Sequence, residues 1–404
     1  MKDQIKFTIV IVFWCYIIFF IVSCKNKVTE IQIIEKINQD VNISTNTFTH
    51  GKNWLSSYKI ISFQKNDDSL FLLSSISKVI LNKGIFFILD GRFSNLYAFN
   101  SGGKYIRKYG AIGLGINEYK KINDFDIDTI KNQIIILSED NAALYYYDLY
   151  TSKFVKKLNL KIYGNQFCQT EKNEILLYRN FNTGDKGDGY NLVLLDSTGN
   201  LKSKAFPYNA KLSNIGWKST GFLRKTGKRI LFAGAYNDTV YCFINNSFNI
   251  KNIINIGSKN IKANLLTLNN VYNKKFLLDS STSLLGNSFF ANERFVVFNY
   301  QSKLKIKSAI YNTNLKEISN LTESDNKNPL KYVFFTPMML DNHSNLYLKF
   351  SKSDIQNIAK KYPIAYTQLL IEQPQIKACL NQQSEEFLLI TNLQGAINLN
   401  YLKQ

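Results

Sequence analysis

Short apolar runs separated by polar turns fill the chain from residue 52 to 350, and none of them keeps the period of a helix. Ile85-Phe86-Phe87-Ile88-Leu89, Ile134-Ile135-Ile136-Leu137, Ile175-Leu176-Leu177-Tyr178 and Ile230-Leu231-Phe232 predict strands. Each is followed by a second apolar run, opening at Leu96, Leu144, Leu192 and Val240, positions that are each 48 residues apart. Turns such as Ser101-Gly102-Gly103 and Ser197-Thr198-Gly199-Asn200 supply the positive φ that a tight hairpin demands. That period suits a four-stranded propeller blade of roughly 40–50 residues. Looser copies follow at 295–298 with 309–312, at 345–348 and at 387–390. The count predicts an all-β chain, a six-bladed β-propeller of four-stranded antiparallel blades over residues 51–404. An open ring would leave unpaired edges. Residues 58–63 lie outside the first repeat and are expected to complete a blade shared with the C-terminal strands. A pair of β-sandwiches is the rival fold, set aside because sandwiches do not repeat at this period.

Two stretches depart from the pattern. Residues 351–362 and 367–380 have helical character, with Ser351 or Ser353 as N-cap, Asp354 in the first turn and Pro363 as a break. They read as a decoration between strands of the last blade. At the other end, residues 7–20 are apolar except for Thr8 and follow Lys2 and Lys6. Up to Val22 this run is shorter than the roughly 20 residues of a spanning helix. It ends in Ile21-Val22-Ser23-Cys24, which resembles a bacterial lipobox. Residues 1–23 therefore read as a lipoprotein signal peptide, Cys24 as the lipidated first residue of the mature protein, and 24–50 as a flexible tether. Each buried acyl methylene contributes about 0.8 kcal/mol, so two or more chains hold firmly to a bilayer. A retained N-terminal anchor is the alternative.

The formal charge of +20 raises nucleic acid or anionic surfaces as partners. The lysines are scattered singly, without a basic helix or arginine-rich run, so no nucleic-acid partner is expected. Beyond Cys15 and Cys24 there remain Cys168, Cys242 and Cys379, with no CxxC spacing. Three thiols make at most one bridge, and they read as buried free thiols rather than a disulfide framework. His50 and His343 are the only histidines, too few for an evident zinc pair or catalytic triad.

Three groups of residues carry candidate chemistry. Asp124, Asp126 and Asp128 alternate with Phe125 and Ile127, which puts three carboxylates on one face of a strand expected to line the central channel. They are candidate metal ligands, for calcium. The competing reading has Asp124 and Asp128 capping turns while Asp126 bonds to backbone. The loop 182–189 is the main insertion of the third blade, and its Asp185 and Asp188 sit among glycines without the spacing of an EF-hand. Arg92, Arg179, Asp185, Asp188 and Tyr190 are the candidate ligand-binding residues, expected to rim a shared mouth on one face, with a plain surface loop as the alternative. Gly113-x-Gly115 is followed by a strand pattern rather than a helix, so it reads as a blade-to-blade connection and not as a phosphate loop.

Gly110, Gly113-Leu114-Gly115, Glu118-Tyr119 and Asp124-Phe125-Asp126-Ile127-Asp128 together carry a family likeness. The chain resembles the six-bladed β-propeller lipoproteins common in Bacteroidetes, themselves similar to NHL-repeat propellers. Ile116-Asn117 stands where that family usually has Pro-Gly. The resemblance implies the propeller over nearly all of the mature chain, and brings no catalytic residues and no agreed substrate. The resulting expectation is a lipid-anchored envelope monomer that binds an unknown protein or glycan ligand without catalysis and without a cofactor. It would be held to the outer membrane through Cys24, on the periplasmic face, because residues 25–30 lack an acidic cluster. The alternatives are a metal-assisted hydrolase or lyase acting on carbohydrate, lactone or peptide, and a structural subunit of an outer-membrane complex.

Overall fold

The computed structural model describes residues 28–395, apart from 35–41, 45–47, 49–52, 65–72, 209–220, 256–282, 322–328 and positions 139, 141, 183, 188, 227–228, 235–236, 303–304 and 383. The signal-peptide region, Cys24, His50 and Asp188 lie outside the described residues.

Six antiparallel sheets follow one another along the chain. Blade 1 comprises Ile76–Asn82, Ile85–Asp90, Asn95–Phe99 and Tyr105–Tyr109. Blade 2 comprises Asp124–Asp128, Gln133–Ser138, Ala143–Asp148 and Phe154–Asn159. Blade 3 runs through Gln166–Gln169, Ile175–Tyr178, Tyr190–Leu195 and Leu201–Pro207, and blade 4 through Phe222–Thr226, Arg229–Ala233, Thr239–Ile244 and Ser247–Asn255. Blade 5 holds Ser283–Ala291, Phe295–Ser302, Lys305–Asn312 and Glu317–Asn320. Blade 6 is built from both ends of the domain: Thr336–Leu340, Asn345–Ser351, Glu386–Asn392 and, outermost, Lys59–Ser62. The last pairing sets Ile61 opposite Leu388 and Ile60 opposite Leu389, which closes the ring as the strand pattern predicts.

Each middle strand is covered on both faces by neighbouring blades, which is why runs such as Ile85–Asp90 and Ile175–Tyr178 are apolar without alternation. The anchors Leu96, Leu144, Leu192 and Val240 all sit on third strands and are fully buried. Buried apolar residues form six clusters, one at each interface between adjacent blades. The ring is therefore held together between sheets as much as within them. Between the second and third strands of blade 6 lie helices α1 (Lys352–Lys361), α2 (Pro363–Glu372) and α3 (Pro374–Leu380). Ser351 caps α1 in a reciprocal capping box with Asp354, and Pro363 begins α2 in the first-turn position where its missing N–H costs nothing.

The segment expected as a tether is partly built into the ring. Thr29–Glu30 adds a parallel strand outside blade 3, and Ile33–Ile34 and Asn42–Ser44 add parallel strands outside blade 4. Phe48 bridges to Ile318 on blade 5, and Gln64, just past the closing strand, bridges to Lys104 on blade 1. The chain thus passes along the outer edges in the order 3, 4, 5, 6, 1. Short polar segments such as these gain order from backbone pairing with an existing edge rather than from an apolar face of their own.

The glycine-rich stretch is a corner between blades 1 and 2. Glu118 folds back and accepts a hydrogen bond from Gly115 N at 2.8 Å, and a Cβ on Gly113 would sit 1.9 Å from Glu118 Oε2. Tyr119 donates to Tyr109 O at 3.0 Å. The motif shapes a connection and presents no helix N-terminus to a phosphate.

Candidate functional site: the central channel

The first strands of all six blades surround a central cavity of about 770 Å³. Lys78 enters it from blade 1, Asp126 from blade 2, Cys168 from blade 3, Arg224 and Lys225 from blade 4, and Ser288 from blade 5. Blade 6 contributes Met338 and, at one mouth, His343. The volume lies in the range of pockets that hold small-molecule ligands, roughly 300–1,000 Å³.

The three aspartates of Asp124–Asp128 do different work. Asp124 accepts from Lys78 Nζ at 2.7 Å and from Phe167 N at 3.0 Å, so it ties the inner strands of blades 1, 2 and 3 together. Asp128 accepts from Ile130 N at 3.0 Å and Lys131 N at 2.9 Å, capping the turn that follows the strand. Asp126 accepts from its neighbour Ile127 N at 2.8 Å, while its Oδ2 is buried with no hydrogen-bond partner among the described residues. Burial raises the Asp126 carboxyl above its ordinary value, opposed by the nearby charges of Lys78 and Lys225. Among the described residues no group of three or more His, Cys, Asp or Glu side chains converges to hold a metal ion. Of the three only Asp126 lines the cavity, and turn capping and ion pairing commit the other two carboxylates elsewhere.

Arg224 is the unusual cation. Its Cζ lies 4.0 Å from the centroid of the Phe290 ring, and Nη1 reaches Phe289 O only at 3.4 Å. Burial pulls its pKa down to about 10, with Asp124 acting the other way, so the guanidinium stays charged at neutral pH. Among the described residues it forms no ion pair with a carboxylate. Lys225, beside it, makes a single long contact with Gln169 O at 3.4 Å. Cys168 is buried next to the aspartates, and burial pushes its thiol up, which keeps it protonated and unreactive. Cys168, Cys242 and Cys379 are all free and buried.

The other predicted site residues lie away from the channel. Arg179 is fully buried and pairs with Asp185 at 2.7 Å, and Asp185 also accepts from Gly187 N at 2.6 Å and Tyr163 N at 2.8 Å. A Cβ on Gly187 would come 2.6 Å from Arg179 Nε, so glycine is needed for the loop to close over the guanidinium. Tyr190 bonds through its hydroxyl to Glu30 on the added outer strand. Arg92, on blade 1, contacts Ser74 Oγ at 3.3 Å and lies over Phe93. The structure brings Arg179, Asp185 and the Tyr190 backbone together as a closed loop brace, with Arg92 separate from them. Lys78, Arg224 and Lys225 escape a reading from pattern, since single cations on short strands look like solvent-facing residues. The available signal is positional: Phe222–Thr226 holds the same place in blade 4 as Asp124–Asp128 in blade 2.

A six-bladed propeller with a polar, cation-bearing channel is the class that fold and site define. The chain belongs to the family described as "Domain of unknown function (DUF4934)", whose model matches residues 29–386. Among solved structures it is similar to a candidate exported protein from Bacteroides fragilis NCTC 9343, at 15% identity and a TM-score of 0.68, over 87% of this chain and 98% of that one. At this identity the likeness shows a shared fold. A DUF4221-family member from Bacteroides vulgatus ATCC 8482 matches at 11% identity and a TM-score of 0.49, over 83% of this chain and 96% of its own. The extracellular domain of a candidate hybrid two-component system from B. thetaiotaomicron matches at 11% identity and a TM-score of 0.39, over 68% of this chain and 32% of that one. No curated protein matches. Among the described residues no helix is long and apolar enough to cross a membrane.

Proposed function

We propose that this chain is a lipid-anchored envelope propeller that binds, without catalysis, a ligand bearing a carboxylate or phosphate in its central channel. The observation that carries the reading is Arg224: a charged guanidinium facing the cavity, stacked on Phe290, with no carboxylate in a direct ion pair with it among the described residues. A planar cation fixed on an aromatic face is preorganised for a bidentate anion. Lys225 and Lys78 line the same cavity and favour negative charge there. Lipid attachment at Cys24 rests on Ile21-Val22-Ser23-Cys24 alone. The metal-assisted hydrolase reading draws little from this geometry, because Asp124 and Asp128 are already committed.

The test is calorimetric titration and thermal melting with galacturonate and inorganic phosphate, against galactose as a neutral control. The expected result is a melting point raised by an anion and not by galactose, with at least a tenfold weaker response in Arg224→Met. Equal responses in both proteins, or none to either anion, would remove the channel from consideration.

A second reading, docking to a partner subunit, has one supporting observation. Strand alternation puts the blade-to-blade corner of blades 1 and 2 on the same face as the helices of blade 6. That face exposes Leu114 (89%), Ile116 (82%), Ile364 (85%) and Ile371 (74%).

A further inference from the structure

The outer edge of the ring is electrostatically lopsided. The fourth strands of blades 1, 2 and 3 carry Arg107 and Lys108, Lys156 and Lys157, and Lys202 and Lys204 with no acidic residue among them, although the strand added outside blade 3 brings Glu30. The fourth strands of blades 4, 5 and 6 carry only Lys251 and Lys59 as cations, against Glu317. Some of the first set are engaged: Lys202 pairs with Glu174, and Lys156 and Lys157 lie over the rings of Tyr146 and Tyr145. They still present positive heads outward, and Lys156 and Lys157 are exposed. Exposed Val155 and Tyr150 accompany them at the edge of blade 2. Among the described residues, blade 2 is the one blade whose outer edge the N-terminal segment neither joins nor bridges.

The course of the N-terminal segment gives this edge a direction. Thr29 is paired with Ser203 on blade 3, so only four residues separate Cys24 from a fixed point on the ring. The five steps from Cys24 to Thr29 span at most about 18 Å. A lipid on Cys24 would therefore draw the edge of blade 3 to the bilayer, in place of the long free tether that residues 24–50 suggest.

We infer that the rim formed by the outer strands of blades 1–3 lies against an anionic bilayer surface, holding the propeller edge-on. The directional part of this inference rests on the proposed lipid at Cys24; the charge asymmetry stands without it. Edge-on seating leaves both mouths of the channel open to solvent, which suits a ligand arriving by diffusion. Cations held close to an anionic headgroup surface each add to binding, and the attraction fades within a Debye length.

The experiment uses the chain from residue 24 carrying Cys24→Ser, which keeps every described element and has no lipid. Its flotation is measured with vesicles of phosphatidylglycerol and phosphatidylcholine, and with phosphatidylcholine alone. Salt-sensitive binding to the anionic vesicles is expected, weakened about tenfold or more by Lys156→Glu with Lys157→Glu. The charge-matched control, Lys59→Glu with Lys251→Glu, should stay near wild type, and melting points of all proteins establish that each is folded. Equal loss in both double variants would mean that net charge alone acts, and would overturn the inference, as would no preference for the anionic vesicles. The anchor is read separately, from the mass of the N-terminal peptide of the protein made in a lipoprotein-processing host. A lipidated Cys24 without rim binding, or rim binding without lipid, then tells the two ideas apart.

Discussion

Two arginines in neighbouring blades meet opposite fates. Arg179 in blade 3 is sealed: Asp185 neutralises it at 2.7 Å, the Tyr190 carbonyl accepts from it at 3.3 Å, and Gly187 lets the loop close over it. Arg224 in blade 4 faces the cavity, steadied by an aromatic ring and lacking a carboxylate partner among the described residues. The first arrangement spends its charge internally and has nothing left to offer a ligand. The second keeps a charge without a direct ion pair, among the described residues, at a place a ligand can reach. Uncompensated polarity, more than the presence of charged residues, marks the place in this molecule where binding is expected.

The difference breaks most forcefully at Asp185. Asp185→Ala removes one member of the buried Arg179–Asp185 pair, a loss that costs about 3–5 kcal/mol where a buried pair loses one partner. Urea denaturation should show that loss, with the anion response of the channel unchanged in protein that remains folded. A loss below about 1 kcal/mol would mean that the brace is not a brace, since that is the range of exposed pairs.

Most of the ring was legible because burial between blades imposes it. Leu96, Leu144, Leu192 and Val240 recur because every third strand meets the same environment. The closing strand and the helical insertion were readable for the same reason: Ile60 and Ile61 need a partner edge, and Ser351 with Asp354 announces a helix start. The channel was legible only at Asp124–Asp128. Its other walls, Ile76–Asn82, Gln166–Gln169, Phe222–Thr226, Ser283–Ala291 and Thr336–Leu340, share no pattern, because inner strands face a cavity rather than one another. Side-chain direction in the loop 182–189 was equally hidden, since the contact of Gly187 with Arg179 is made by folding and leaves no periodic trace. The pairing of Thr29 with Ser203, 174 residues away, also has no apolar signature.

Asp126 sharpens the contrast from inside the channel and gives it a pH dependence. In the unfolded chain its carboxyl titrates near 3.8, and in the folded protein burial raises it. Between those values the folded form holds the proton more tightly, so stability falls as pH rises through that window. Below the ordinary value both states are protonated and the penalty vanishes. Asn cannot ionise, so the advantage of Asp126→Asn over wild type should be small at pH 3 and grow as pH rises, to about 1–3 kcal/mol, the range for an uncompensated buried polar group. Denaturant melts of both proteins at the two pH values decide it. An advantage that does not change with pH would mean that Lys78 and Lys225 already balance the carboxylate.

The smallest expected effect on stability is the most telling. Arg224→Met keeps an aliphatic chain over Phe290 and deletes a cation that no carboxylate was neutralising. The melt should move by less than about 1 kcal/mol, in either direction, because no buried counter-charge is stranded. Arg179 cannot be treated in this way, since its removal strands Asp185. If Arg224→Met instead cost as much as Asp185→Ala, Arg224 would be one more internal brace. A silent melt together with a lost anion response would separate the two arginines by role: Arg179 maintains the ring, and Arg224 is held ready for something outside it.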